Sequence, residues 1–186
     1  MLDLNFTPFP NLTTVRLILR PLKIEDTNEI MFLRSDEKVN KFLDRQKARI
    51  IDDATNFIRK IEKGIVNNEW IYWAITIKNN DTLIGTICLF NIDVLKNTVE
   101  IGYELNPNFH GKGIMQEAIS TVIKFGFDNL RIKNITAFPS ADNVKSIKLL
   151  ERNNFKFDID FAFATKEELN NLSCYYLERK MTDKKC

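Results

Sequence analysis

The apolar positions of the chain change period several times, and the order of those changes predicts its elements. Thr14–Arg20 alternates β-branched and polar residues up to Pro21, which predicts a first strand. Ile24–Leu33 and Asp52–Ile65 follow with helical spacing, the second placing Ala54, Phe57, Ile58, Ile61 and Ile65 on one stripe. Three strands are predicted next, over Trp70–Lys78, Thr82–Ile92 and Thr98–Leu105, the first two joined by the turn-forming Asn79, Asn80 and Asp81. Met115, Ala118, Ile119, Val122, Ile123 and Gly126 then mark one face of a helix from near Gly113 to about Asn129. Asn134–Phe138 reads as a short strand bounded by Pro139, and Asn143–Asn153 as a helix ending at Asn154, a residue that tolerates a left-handed C-cap. Phe155, Phe157, Ile159, Phe161 and Phe163 alternate with Lys156, Asp158, Asp160 and Ala162 as a penultimate strand, and Cys174–Met181 closes the chain as the last. No repeat, low-complexity tract or linker interrupts this order, so residues 1–186 read as a single domain.

Chemistry concentrates where the strand Thr98–Leu105 meets the next helix, in Asn106-Pro-Asn-Phe-His110-Gly111-Lys112-Gly113-Ile114-Met115. Two glycines one residue apart at such a junction let the backbone approach an anion, and the first N–H groups of the helix are left unpaired and aimed at it. The turn therefore reads as a diphosphate cradle. It is not a dinucleotide fingerprint, since Gln116 stands where a third glycine is needed, nor a P-loop, since Lys112 is followed by Gly113 and no glycine lies five before Gly111.

Composition narrows the classes. With 186 residues, 44% of them hydrophobic, the chain can bury a sizeable core. Twenty-seven basic residues face 25 acidic ones for a formal charge of +2, with no basic block beyond Lys184 and Lys185, so no nucleic-acid partner is expected. No apolar run approaches the ~18–20 residues of a membrane span. The start Met1-Leu-Asp-Leu-Asn lacks the regions of a signal peptide, so a cytoplasmic protein without membrane association is expected. Cys88, Cys174 and Cys186 form no Cys-x-x-Cys pair, which suggests core or surface thiols rather than disulfides or zinc ligands. His110 is the only histidine, so a multi-histidine metal centre is excluded and no metal is expected. A Ser-His-Asp triad would have to draw on that same loop residue, which argues against hydrolase chemistry.

The turn resembles the acetyl-CoA-binding motif of the GNAT superfamily of N-acetyltransferases, Gln/Arg-x-x-Gly-x-Gly/Ala, with His110 in the first fixed place, Gly113 in the second and Met115 in the last. Two of the three fixed positions depart from the motif. The wider wording around His110-Gly-Lys-Gly-Ile-Met-x-Glu-Ala is similar to the branch that acetylates ribosomal-protein N-termini. Arg16-Leu-Ile-Leu-Arg20-Pro-Leu followed by Glu25-Asp26, and Asn143-x-x-Ser146-x-x-x-Leu150-Glu-Arg152-x-x-Phe155, resemble two further segments of that branch, with Asn154 in place of a glycine. The resemblance spans about Val15 to Met181 and implies an α/β (α+β) GNAT fold, a mixed and mostly antiparallel sheet of about seven strands flanked by helices. It further implies an enzyme that transfers an acetyl group from acetyl-CoA directly to a primary amine. The expected acceptor is a protein N-terminus such as that of a ribosomal protein, with a small amine (polyamine or antibiotic) or a non-catalytic CoA-binding module as alternatives.

On that reading, backbone N–H groups from His110, Gly111, Lys112, Gly113, Ile114 and Met115 bind the diphosphate. An α-amine with a pKa of ~7.7–8.0 needs only a weak base, and Glu100 is the candidate. Strict alternation puts Glu100, Gly102 and Glu104 on one face of their strand and Val99, Ile101, Tyr103 and Leu105 on the other; a bulge known in this strand of the family would break that parity. The backbone N–H near Leu105 is the candidate oxyanion donor. Leu150 occupies the place of the family's usual tyrosine acid, so Ser146 is the substitute that would meet the leaving thiolate, whose pKa is ~8.5. Asn143 is expected to hold the pantetheine or to cap its helix, and Lys148 and Arg152 to meet the 3′-phosphate or to face water. Around the acceptor, the connection Arg34 to Ile50 carries six basic and three acidic residues, which favours an acidic acceptor, whereas Asp158, Asp160, Glu167 and Glu168 favour a cationic one. The aromatic strand Phe157 to Phe163 is expected to support a homodimer.

Overall fold

In the computed structural model, which describes residues 4–159 and 171–179, the alternating segments pair into one sheet and the striped segments cover it. The strands are β1 (Leu12–Thr13), β2 (Leu17–Arg20), β3 (Ile71–Ile77), β4 (Asn80–Asp93), β5 (Thr98–Leu105), β6 (Asn134–Ala137), β7 (Lys156–Phe157) and β8 (Tyr175–Glu178). The helices are α1 (Thr27–Ser35), α2 (Glu37–Asn40), α3 (Ile51–Val66), α4 (Ile114–Asp128) and α5 (Val144–Arg152). The eight strands lie in the order β1-β2-β3-β4-β5-β6-β8-β7, and every neighbouring pair is antiparallel except β5 and β6.

Side-chain parity divides the sheet into two faces. Trp73 meets Phe125 of α4 edge-on at 5.5 Å, so α4 covers the face that also holds Ile87, Leu89, Ile101 and Leu105. Tyr72 meets Phe57 of α3 at 5.7 Å on the opposite face, which Thr86, Cys88, Glu100, Gly102 and Glu104 share. The expected bulge in β5 is absent: its register against β4 is regular from Glu100 to Leu105, and the irregularity lies in β4 between Phe90 and Asp93, where Asn91 has φ 48°. The parity of β5 therefore holds.

Several expectations are corrected. The two-residue β1 and the single-turn α2 were not predicted, because neither is long enough to show a period. The penultimate strand covers only Lys156–Phe157, and Ile159 is already helical; Phe161 and Phe163 lie outside the described residues. The last strand is confined to Tyr175–Glu178. Asn154 takes the left-handed conformation expected of it, φ 65°, and the Phe155 amide closes the end of α5 on the Leu150 carbonyl at 3.1 Å. Asn68, Asn79, Asn91, Asn97 and Asn171 also take positive φ.

One buried ion pair fixes the start of the chain to this sheet. Arg20 and Asp26 are 6% and 4% exposed, and the guanidinium donates to both carboxylate oxygens at 2.8 and 2.7 Å. Its remaining N–H groups reach Asp81 and the Pro21 and Asp81 carbonyls, so every donor is met. Removing one partner would leave a charge buried without compensation. Asp26→Ala should therefore destabilise the protein by about 3 kcal/mol, measured as a lower urea midpoint at unchanged slope.

Candidate functional site

The site begins where β5 loses a neighbour. β6 pairs with β5 only at Thr98, Val99 and Glu100, while β5 continues to Leu105. The Asn106 amide bonds to the Ile84 carbonyl at 2.8 Å, which fixes the phase of the β4–β5 ladder. Alternation then turns the N–H and C=O groups of Glu104 and Gly102 toward β4, and those of Tyr103 and Leu105 toward the opening beside β6. The Leu105 N–H, expected to serve an oxyanion, thus faces the gap.

At the end of β5 a single 3₁₀ turn, Pro107–Phe109, leads into the glycine loop. Gly111 and Gly113 have φ 74° and 71°, a region that a β-carbon makes costly. A β-carbon on Gly111 would meet nothing within 4 Å, so the loop leaves space on that side, whereas one on Gly113 would lie 3.4 Å from the Arg16 guanidinium. Gly113 is the N-cap of α4, whose first amides at Ile114 and Met115 have no helical acceptor. One expected donor drops out: the His110 amide is bonded to the Pro107 carbonyl at 3.1 Å, as the 3₁₀ turn requires. Instead the His110 ring reaches back, its Nε2 lying 3.0 Å from the Leu105 carbonyl. Lys112 is exposed, with its ammonium 5.2 Å from the Phe109 ring centre. The residues present fit an anionic group: free amides, two left-handed glycines, and open space in front of them.

Two residues that sequence reasoning left without a role hold this loop. Arg16, at the entry to β2, donates to the Lys112 carbonyl at 2.9 Å and to Glu117 Oε2 at 2.6 Å. Glu117, in the first turn of α4, accepts also from the Arg16 amide at 2.8 Å and the Thr14 hydroxyl at 2.5 Å. Partial burial raises the Glu117 pKa, but the bonds from Thr14 and Arg16 outweigh it and hold the carboxyl below its ordinary value. An acid beside an anion site is tolerable because Arg16 offsets its charge.

Along the gap, Ser146 of α5 lies with its Oγ 2.7 Å from the Tyr103 hydroxyl. Burial pushes the Tyr103 phenol up to about 12, the Ser146 bond opposing it. Tyr103 was not singled out in the sequence, which placed it only on the face of its strand opposite Glu100. Leu150, the place of the family's tyrosine, is fully buried in the core. Asn143 proves to be the cap of α5, its Oδ1 accepting from the Ser146 amide at 3.1 Å, which leaves its NH₂ as the group able to serve a ligand. Lys148 and Arg152 are both exposed. Gln116 of α4 and Asn153 at the end of α5 exchange two amide hydrogen bonds, at 2.9 and 3.2 Å, tying together the helices on either side.

On the other face Glu100 is half-buried and accepts from Asn91 Nδ2 at 2.8 Å. Burial raises its pKa above the ordinary carboxylate value, with the Asn91 bond partly opposing. A cavity of about 300 Å³ lies on that face toward the far end of β5, lined by Asn28, Glu29, Phe32, Asn106 and Phe109 among others. It is separate from Glu100. Among the described residues no group of three or more His, Cys, Asp or Glu side chains is placed to hold a metal, and no helix is long and apolar enough to cross a membrane.

Residues 16–156 match the family model of the acetyltransferase (GNAT) domain. The uncharacterised N-acetyltransferase p20 of Bacillus licheniformis is 34% identical over 146 residues, 78% of this chain and 82% of that protein. The ribosomal-protein-serine acetyltransferase of Escherichia coli (strain K12) is 32% identical over 79 residues, 42% of this chain and 44% of that protein. The microcin C7 self-immunity acetyltransferase MccE, solved with acetyl-CoA and AMP, superposes with a TM-score of 0.74 at 25% identity, covering 95% of this chain and all of that one. With its split sheet and glycine loop, the chain belongs to the GNAT family and is an acetyl-CoA-dependent N-acetyltransferase.

Proposed function

We propose that the enzyme acetylates the N-terminal amine of a protein, such as a ribosomal protein, by direct transfer from acetyl-CoA. The observation that carries this reading is the opening beside β5, with the loop amides at one end and the Glu100 carboxylate near the other. In it the amides of Gly111, Lys112, Gly113, Ile114 and Met115 hold the diphosphate, and the Asn143 NH₂ meets a pantetheine carbonyl. The protein acceptor is favoured by the likeness to the Escherichia coli ribosomal-protein-serine acetyltransferase. The likeness to MccE, solved with AMP, favours a second acceptor class, a small amine that carries a phosphate.

The chemistry needs few groups. Glu100 accepts the amine proton, directly or through a water, and its raised pKa brings it nearer to that of an α-amine, ~7.7–8.0. The freed amine attacks the thioester carbon, and the Leu105 N–H stabilises the negative oxygen that forms. The carbon–sulfur bond then breaks, and the second proton of the attacking nitrogen passes through the Ser146 hydroxyl, oriented by Tyr103, to the departing thiolate.

Mass spectrometry of acetyl transfer to N-terminal peptides, polyamines and phosphorylated amines tests the reading: a peptide product is expected, and CoA binding without any acetylated product would favour the non-catalytic alternative. Gly111→Val or Gly113→Val should abolish CoA binding in calorimetry, since a β-branched residue does not take these φ values, whereas His110→Ala should weaken it no more than about tenfold. Glu100→Gln should lower kcat/KM by about 100-fold at pH 8. Only the ionised carboxylate is a base, so the wild-type advantage should shrink as pH falls through the raised Glu100 pKa. Tyr103→Phe should lower kcat about tenfold with CoA affinity unchanged.

A further inference from the structure

Beyond Glu100 on the same face of β5, a second polar cluster lies outside the acetyl-transfer machinery. Glu104 is 8% exposed and pairs with Arg45 at 2.6 Å, while its other oxygen accepts from the Thr86 hydroxyl at 3.2 Å. Thr86 in turn bonds the Tyr72 hydroxyl at 3.0 Å. Arg45 is held in place by Asn40 Oδ1 at 2.8 Å and the Leu33 carbonyl at 3.3 Å, and Asn40 itself is anchored on the Leu33 and Asp36 carbonyls. The pair is rigid.

Arg34 makes the arithmetic unequal. Its guanidinium stacks on the Phe57 ring at 4.0 Å, close enough to Arg45, Glu104 and Tyr72 to sense the charge of each. Among the described residues it has no hydrogen-bond acceptor or carboxylate partner, and since no buried side-chain nitrogen there lacks a partner, its N–H groups face accessible space. Two guanidinium groups therefore lie within electrostatic range of one carboxylate, and only Arg45 is paired with it. Burial, then repulsion from Arg45, lowers the Arg34 pKa, with Glu104 only partly opposing. Stacking fixes the plane of the five-donor fork, so little freedom remains to be lost when an acceptor arrives. The surrounding surface repeats the sign, with Lys38, Lys41, Lys47 and Arg49 against Asp36, Glu37 and Asp44, of which Asp36 is engaged as the cap of α2.

We infer that Arg34, next to Arg45, is an anion subsite for the acceptor, so that the preferred substrate is an amine carrying a carboxylate or phosphate group. The inference rests on the reading of Glu100 as the place of the amine. Glu100 and Glu104 are separated by four residues of strand, about 13 Å, so the anion stands some three to four extended peptide residues from the reacting amine. In a peptide this is an Asp or Glu near the third or fourth position; in a small amine it is a phosphate at the end of a linker.

Equilibrium binding and acetylation can be measured with hexapeptides holding Asp or Asn at positions three and four, and with aminoalkyl phosphates against the matching amino alcohols. The anionic member of one pair should bind the wild-type protein at least tenfold more tightly and show the same ratio in KM, with kcat little changed. The peptide arm and the phosphate arm identify the source of the anion. Arg34→Gln should erase the preference, bringing KM and Kd of the anionic member to those of the neutral one with CoA affinity unchanged, while Arg34→Lys should restore part of it. Equal binding of both members in both pairs would overturn the inference, as would a preference that survives Arg34→Gln. Binding is read without acetyl transfer, so a failure of the proposed N-terminal acetylation would show separately, as an anion preference without product.

Discussion

Everything functional in this fold depends on a pairing that stops early. Parallel hydrogen bonds join β5 to β6 for three residues and then end, although β5 runs five residues further. A strand in the middle of a sheet is normally satisfied on both edges, and unpaired backbone groups away from water are costly. Here the N–H and C=O of Tyr103 and the N–H of Leu105, whose carbonyl already meets the His110 ring, supply peptide-like partners, which suits an extended ligand built from amide units. The antiparallel ladder to β4 remains unbroken opposite the gap, so the edge is held straight by its other side.

The loop at the end of that edge is positioned by contacts far apart in sequence. Arg16 and Glu117 stand 101 residues apart and together fix the backbone of Lys112 and the first turn of α4. The amide exchange between Gln116 and Asn153 does the same for the opposite end of α5. Each joins elements far apart in sequence beside the first turn of α4. The N-terminal signature thus acquires two distinct jobs: Arg16 serves the loop, and Arg20 locks Asp26 and Asp81 at the edge of the sheet.

How much was legible in the sequence follows from the range of the forces involved. Strand alternation, helical stripes and the paired glycines are local, and they placed β2 to β6, α1, α3, α4, α5 and the loop in the right order. A strand of two residues and a helix of a single turn show no repeat of their own, so β1 and α2 were invisible. Over the described residues the strand read from Phe155 was too long, because alternation of aromatics describes a face and cannot show that Ile159 is already helical. The base and serine could be named from resemblance, but the Tyr103–Ser146 and Arg45–Glu104 pairs join residues 43 and 59 apart, a separation at which spacing holds no signal. The loss of the His110 amide to a 3₁₀ turn was likewise a matter of backbone phase rather than residue type.

Asparagine rather than glycine occupies most left-handed corners of this chain, six of them among the described residues, in a protein with only six glycines in all. Each substitution leaves a β-carbon in place, which narrows the range of shapes open to the denatured chain. The folded state accepts some local torsional discomfort at its bends, and in exchange the disordered ensemble starts with less freedom to surrender.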